Sequence, residues 1–153
     1  MTKGPWTDLS EGQIAKRLGR ALELEFAHGA PVGIGGEAFG LTLVGEESYV
    51  ALEVETKHTH PAENVLQYWP WMERNRRRLV LIHAIAPDAR KRTGHRADLT
   101  RWLGAMMERV IPGRFTYCRL DLGSPDEEAQ LATAKAAIVE LATTRERRIA
   151  PGL

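Results

Sequence analysis

Cys118 is the only cysteine in the 153 residues, so the chain can form neither an internal disulfide nor a cysteine-rich zinc site. Set in FTYCRLDL, it is expected to be a small buried side chain. No apolar run approaches the roughly 20 residues that a membrane helix needs, so no membrane partner is expected. The opening residues, MTKGPWTDLSEGQ, lack an apolar signal core, and the expectation is a cytoplasmic protein. There is also no internal repeat, no low-complexity tract and no linker that would divide the chain. Residues 1–153 are therefore expected to form one domain.

The chain is 43% apolar and 27% charged, the proportions of a globular protein and not of a disordered one. Its length suffices to bury a core without staples. The net charge is only +1, but it is unevenly spread. Residues 1–65 hold 5 Lys/Arg against 10 Asp/Glu, a net of −5, and residues 66–153 hold 16 against 10, a net of +6. An acidic half beside a basic half suits a cation site flanked by a phosphate-binding surface. A mixed-charge surface with an accidental gradient would give the same counts.

Asp8 or Ser10 can cap a first helix whose apolar stripe is Ile14, Leu18 and Leu22. Leu22, Leu24 and Phe26 also alternate with Glu23 and Glu25, so a strand starting near Arg20 is the competing reading. HGAPVGIGG breaks a helix and has room for a short strand. Phe39 to Val44 and Tyr49 to Lys57 read as two strands joined by GEES in a hairpin. Pro61 fits the first turn of a second helix, with Glu63 near its positive end, running to about Asn75. RLVLIHAIA reads as a buried strand. PDARKRTGHR is expected to be a loop before a third helix from about Asp98 to Val110. FTYCRLDL gives a further strand, and Ser124 caps a long helix from about Pro125 to Arg147. The fold class is therefore α/β.

In YVALEVETK, strand alternation sends Val50, Leu52 and Val54 to one face and Glu53, Glu55 and Lys57 to the other. Two carboxylates suit Mg²⁺ or Mn²⁺, which keep waters able to attack a phosphate. A lysine beside them can orient that water and offset phosphate charge. A solvated face of a half-buried strand would carry the same residues. With the turn centred between Glu46 and Glu47, Val50 faces Leu43, Leu52 faces Leu41 and Val54 faces Phe39. Glu53 then lies opposite Gly40, and Glu55 opposite Ala38.

An α-β-β-β-α-β order with Glu-x-Glu or Glu-x-Lys late in the third strand resembles the PD-(D/E)xK, restriction-endonuclease-like nucleases, over about residues 8 to 121. The resemblance implies a mixed β-sheet flanked by helices and a Mg²⁺-dependent nuclease. The signature reads in two frames, Glu55-Thr56-Lys57 or Glu53-Val54-Glu55. Glu53 and Glu55 would be the metal ligands, with Lys57 beside the water. The family places an acid at the start of the preceding strand, where this chain has Phe39-Gly40-Leu41-Thr42. Glycine stands where Asp is expected, and Glu37 is the nearest acid. Strict alternation aims Glu37 at the wrong face, although Gly35 and Gly36 permit a bulge that re-aims it.

The family also draws a Glu from the first helix, for which Glu11 and Glu25 are the candidates. Some relatives carry a Gln-xxx-Tyr pair in the second helix, to which Asn64-xxx-Tyr68 is similar, with Gln67 adjacent. His58, His60 and Glu63 form a rival metal cluster that lacks a dependable third ligand. His83 reads as a satisfied core histidine. Arg74, Arg76, Arg77 and Arg78 sit where a helix C-terminus favours cations anyway. Arg90, Lys91, Arg92 and Arg96 are the better candidates for contact with nucleic acid, DNA above all. Cutting two strands would suit a homodimer. The alternative is a degenerate nuclease-like module that only binds nucleic acid or a protein partner.

Overall fold

The computed structural model describes residues 4–32, 36–44, 47–57, 60–93 and 95–149, without the side chains of residues 36, 37, 92, 93, 97 and 143–149. Ser10 starts the first helix, α1 (Glu11–Leu22), with a reciprocal cap. Its hydroxyl accepts from the Gln13 amide, and the Gln13 side chain accepts from the Ser10 amide. The helix stops where Glu23 turns left-handed (φ 57°) and returns its amide to the carbonyls of Gly19 and Arg20. No strand begins at Arg20. Leu24 and Phe26 instead reach the core from irregular chain.

A short antiparallel ribbon follows, β1 (Ala30–Val32) with β2 (Gly36–Ala38). After a bend at Phe39, β3 (Gly40–Leu43) runs antiparallel to β4 (Ser48–Glu55). β4 then pairs parallel with β5 (Arg78–Ile85), and β5 parallel with β6 (Phe115–Asp121). The main sheet has the order β3-β4-β5-β6. Helices α2 (Pro61–Leu66) and α3 (Tyr68–Arg74) cross from β4 to β5, and α4 (Pro87–Thr93) and α5 (His95–Val110) from β5 to β6. The long α6 (Glu127–Ile149) follows β6. The chain is thus mixed α/β, a four-stranded mixed sheet flanked by helices.

Several boundaries differ from the sequence expectation. The second helix breaks at Gln67, because Pro70 has no N–H to give the Leu66 carbonyl and its ring crowds that group. PDARKRTGHR is not a loop: Pro87 and Asp88 open α4, Ala89 is buried, and α5 already begins at His95. β4 ends at Glu55 and not at Lys57. Its last partner is Ile85, after which Pro87 turns the neighbouring chain into a helix.

The hairpin register is also one residue from the expected one. Gly40 pairs with Leu52, Leu41 with Ala51, Thr42 with Val50 and Leu43 with Tyr49. The Val44 amide donates to the Ser48 carbonyl across a three-residue connection. A one-residue slip changes every face. Leu43 is consequently 53% exposed, and Gly40 faces the side of Leu52, not that of Glu53. Apolar matching could not fix this register because β4 is apolar on both sides at Val50, Ala51 and Leu52. Phe26 decides the matter at Gly40, where a Cβ would lie 2.8 Å from that of Phe26.

The pairing gives the sheet two unlike faces. Val50, Leu52, Val54, Val80, Ile82, Ala84, Cys118 and Leu120 form a wholly apolar face, packed against α1 and α6. On the other, Ala51, Leu79, Leu81 and Phe115 pack against α2, α3 and α5. Further along, that same face carries Glu53, His83 and Arg119 in one register row and Glu55, Ile85 and Asp121 in the next. Cys118 is buried as expected, and burial pushes its thiol up to about 11.

Candidate active site

Glu53 and Glu55 stand near the carboxyl end of β4, where parallel strands present side chains to a crevice. Neither is on a solvated face: Glu53 is 4% exposed and Glu55 fully buried from bulk water. Alternation supplies the shared face, and α2 with the turn after it supplies the donors. The Asn64 amide donates to Glu55 Oε1 at 2.6 Å. Tyr68 Oη and Gln67 Nε2 donate to Glu53 Oε1 at 2.6 and 2.9 Å. The Phe39 amide, at the bend between β2 and β3, reaches the same oxygen at 3.3 Å. His83 Nε2 lies 3.0 Å from Glu55 Oε1.

Among the described residues, the donors to Glu53 are the neutral groups of Phe39, Gln67 and Tyr68, and the electrostatics follow from that. Burial pushes its carboxyl up to about 7, the Tyr68 and Phe39 bonds pull it down, and the charges of Glu55 and Glu11 add to the rise. Burial also raises the Tyr68 hydroxyl well above its ordinary value, so it remains a donor. His83 is pushed down by burial, against the opposing pull of Glu55, and is therefore neutral at pH 7.

The two carboxylates open into a cleft of about 1190 Å³, lined by Ser10 and Glu11 from the start of α1, Phe39, Asn64 and Lys57. Thr56 Oγ1 donates to Glu11 Oε1 at 3.0 Å, tying the first helix to the end of β4. Among the described residues, five carboxylate side chains and one ammonium group line this cleft. Among the described residues, no three His, Cys, Asp or Glu side chains converge as a ready ligand set.

The structure thus gathers Glu11, Glu53, Glu55, Lys57 and Asn64 around one space, with Tyr68 behind Glu53. Lys57 lies beyond the strand and is exposed, so it reaches the cleft from the following turn and not from the β4 face. Glu25 is not part of the site, because α1 has ended and its side chain is exposed in irregular chain. Glu37 stands in β2 opposite Pro31, its side chain outside the described residues. In the rival cluster, His58 is also outside them, and His60 and Glu63 are exposed at the start of α2.

Arg90 and Lys91 stand on α4 and Arg96 on α5, none of them in the cleft lining although Asp88 of α4 is, and the Arg92 side chain is not described. Arg90 Nη1 donates to the Leu122 carbonyl at 3.3 Å, while Lys91 and Arg96 are exposed. No helix among the described residues is long and apolar enough to cross a membrane. The sequence reading did not link His83 or the Phe39 amide to the carboxylates. His83 carried a signal, being the one polar side chain inside LVLIHAI, aligned across the ladder with Glu53. Comparison with protein-family models, with curated proteins and with solved structures returns no match.

Proposed function

We propose that the chain is a divalent-cation-dependent hydrolase of nucleic-acid phosphodiesters, built on a restriction-endonuclease-like core. The observation that carries this is the convergence of Glu53, Glu55, Glu11 and Lys57 on one cleft at the carboxyl end of β4. The antiparallel β3–β4 pair, followed by a helical crossover to the parallel β5, supports the fold part of the reading. Hard carboxylate oxygens fit Mg²⁺ or Mn²⁺, which need only one or two protein carboxylates beside substrate oxygens and water. The charge of the cleft adds to this fit: an acidic lining repels a phosphodiester unless a cation intervenes.

Glu53 and Glu55 would hold the cation. When bound, it supplies positive charge for the phosphate oxygens and lowers the cost of ionising water. Asn64, Gln67 and Tyr68 hold the two carboxylates so that little reorganisation remains. Lys57 offsets charge on the phosphate and orients the attacking water. Glu11, tethered by Thr56, sets the opposite wall, and Glu37 is the candidate for a further oxygen. Lys91 and Arg96 on α4 and α5 would contact the nucleic-acid backbone.

A binding-only module is the second reading, favoured by the three hydrogen bonds already made to Glu53 Oε1. One experiment separates them. Wild-type and Glu55→Ala protein are titrated with Mn²⁺ by calorimetry, then incubated with single- and double-stranded DNA and RNA. Mn²⁺ binding and strand cleavage that both vanish in Glu55→Ala support the hydrolase. Wild-type protein that binds nucleic acid but neither binds Mn²⁺ nor cuts would establish the second reading.

A further inference from the structure

One buried polar group next to the carboxylates plays no part in the chemistry above. His83 Nδ1 lies 2.8 Å from Tyr117 Oη, and the single Tyr117 hydroxyl proton can go either to that nitrogen or to Thr100 Oγ1, 3.2 Å away. Arg119 Nη1 donates to Thr100 Oγ1 at 2.7 Å, and Arg119 Nε to Asp121 Oδ1 at 3.0 Å. The run crosses the sheet from Glu55 on β4, through β5, to β6 and α5. Its other end, His83 Nε2, is the contact with Glu55 Oε1.

α5 is shaped to receive the tyrosine. A Cβ at Gly104 would lie 2.3 Å from Tyr117 Cγ, so only glycine leaves room for the ring there. Glycine inside a helix is less stable than alanine, and this helix carries one where the ring enters. One turn further on, Glu108 Oε1 accepts from the Tyr117 amide at 2.7 Å. Ring and backbone of Tyr117 are both set by α5, and its hydroxyl is aimed at His83.

The geometry points to Tyr117 and His83 as positioning residues for Glu55: the Tyr117 O–H donates to Nδ1, fixes the imidazole proton on Nε2, and that proton holds the Glu55 carboxylate in the cleft. The inference rests on the reading above, in which Glu55 is a carboxylate and can only accept. His83 has no exposure to solvent, and each of its ring nitrogens meets one oxygen, Nε2 that of Glu55 and Nδ1 that of Tyr117. With the imidazole proton facing Glu55, Nδ1 is an acceptor, and the Tyr117 proton has its shorter contact there, 2.8 Å against 3.2 Å to Thr100 Oγ1. The bond made by one ring nitrogen sets the tautomer presented by the other. Partners behind a metal-holding side chain commonly matter roughly 10- to 100-fold for metal affinity.

Nitrogen-15 NMR of the imidazoles reads the tautomer with no metal or substrate present. The wild type should carry the His83 proton on Nε2, with Nδ1 hydrogen-bonded and bare. Tyr117→Phe should lose the Nδ1 bond and weaken Mn²⁺ binding about tenfold, with the fold retained by circular dichroism. His83→Gln, whose amide N–H can replace Nε2–H, should recover most of the affinity and make it indifferent to Tyr117→Phe. That pair of variants serves equally if Tyr117→Phe alone folds poorly. A wild-type proton on Nδ1, or equal Mn²⁺ affinity in wild type and Tyr117→Phe, overturns the positioning role. The expected tautomer in a wild type that binds no Mn²⁺ sinks the hydrolase reading instead and leaves the Tyr117–His83 orientation standing.

Discussion

The two faces of strands β4, β5 and β6 obey different rules, although alternate residues of the same strands build both. The face under α1 and α6 is apolar along its whole length, from Val50 and Val80 to Leu120 and Leu122. The face under α2, α3 and α5 is apolar only at the amino ends and becomes charged toward the carboxyl ends. Packing on the first depends on volume, and any side chain of the right shape will serve. On the second, each polar atom needs a partner of the right kind, and removing one leaves another stranded. The first face therefore contributes to stability through volume alone, whereas the second couples stability to protonation and also sets which groups meet in the cleft.

Substitutions can pull the faces apart. Leu52→Ala, at the fully buried centre of the apolar face, should have the largest effect. It should cost about 4 kcal/mol in denaturant unfolding, while any folded fraction keeps its Mn²⁺ affinity. A comparable loss of affinity in the folded protein would show that the faces are not separable.

Glu53 should give the next largest effect, with opposite sign. Its carboxyl moves from the ordinary 4.5 to about 7 on folding. Between those values the folded chain keeps a proton that the unfolded chain has released. Stability should thus fall as pH rises through that window and level off above it. By pH 8 the loss amounts to about 3 kcal/mol. Glu53→Gln should erase it, making the variant more stable than the wild type at pH 8 and similar at pH 4. Stability of the wild type that is flat from pH 5 to 8 would contradict the buried, charge-starved picture of Glu53.

A smaller change belongs to Gly40, the position where the nuclease pattern that the sequence resembles has Asp. Because the observed register turns Gly40 away from Glu53 and onto Phe26, Gly40→Asp should not create a metal ligand. It should cost about 2 kcal/mol through overpacking and leave Mn²⁺ affinity unchanged. Tighter Mn²⁺ binding would restore the register read from the sequence. The smallest effect is expected outside both faces. Reversing Lys91 and Arg96 should lower the salt slope of DNA binding by about 2, with cleft affinity for Mn²⁺ intact.

Much of the architecture was legible because it follows from short-range rules. Ser10, one of two cap candidates with Asp8, announces the start of α1, the run RLVLIHAI announces β5, and alternation in β4 places Glu53 and Glu55 together. What stayed hidden depends on neighbours distant in the chain. The hairpin register hangs on Phe26, fourteen positions before Gly40, filling the space of an absent side chain. The burial of Glu53 comes from Tyr68 and Gln67, whose orientation follows a helix break caused by Pro70. The similarity to a Gln-xxx-Tyr pair marks Asn64 and Tyr68, yet the link from His83 to Tyr117 needs the parallel ladder and Gly104.

The arrangement of helices also has a consequence for how the chain is made. The crossover helices α2, α3 and α5 lie between strands in sequence and can cover their face as the sheet grows. The apolar face is shared between α1, which precedes every strand, and α6, which follows them all. During synthesis Ile82, Ala84, Cys118 and Leu120 must wait, uncovered, until α6 has left the ribosome. A nascent chain halted after β6 would present an apolar surface with half its cover absent, the kind of surface that chaperones bind and that aggregates nucleate on.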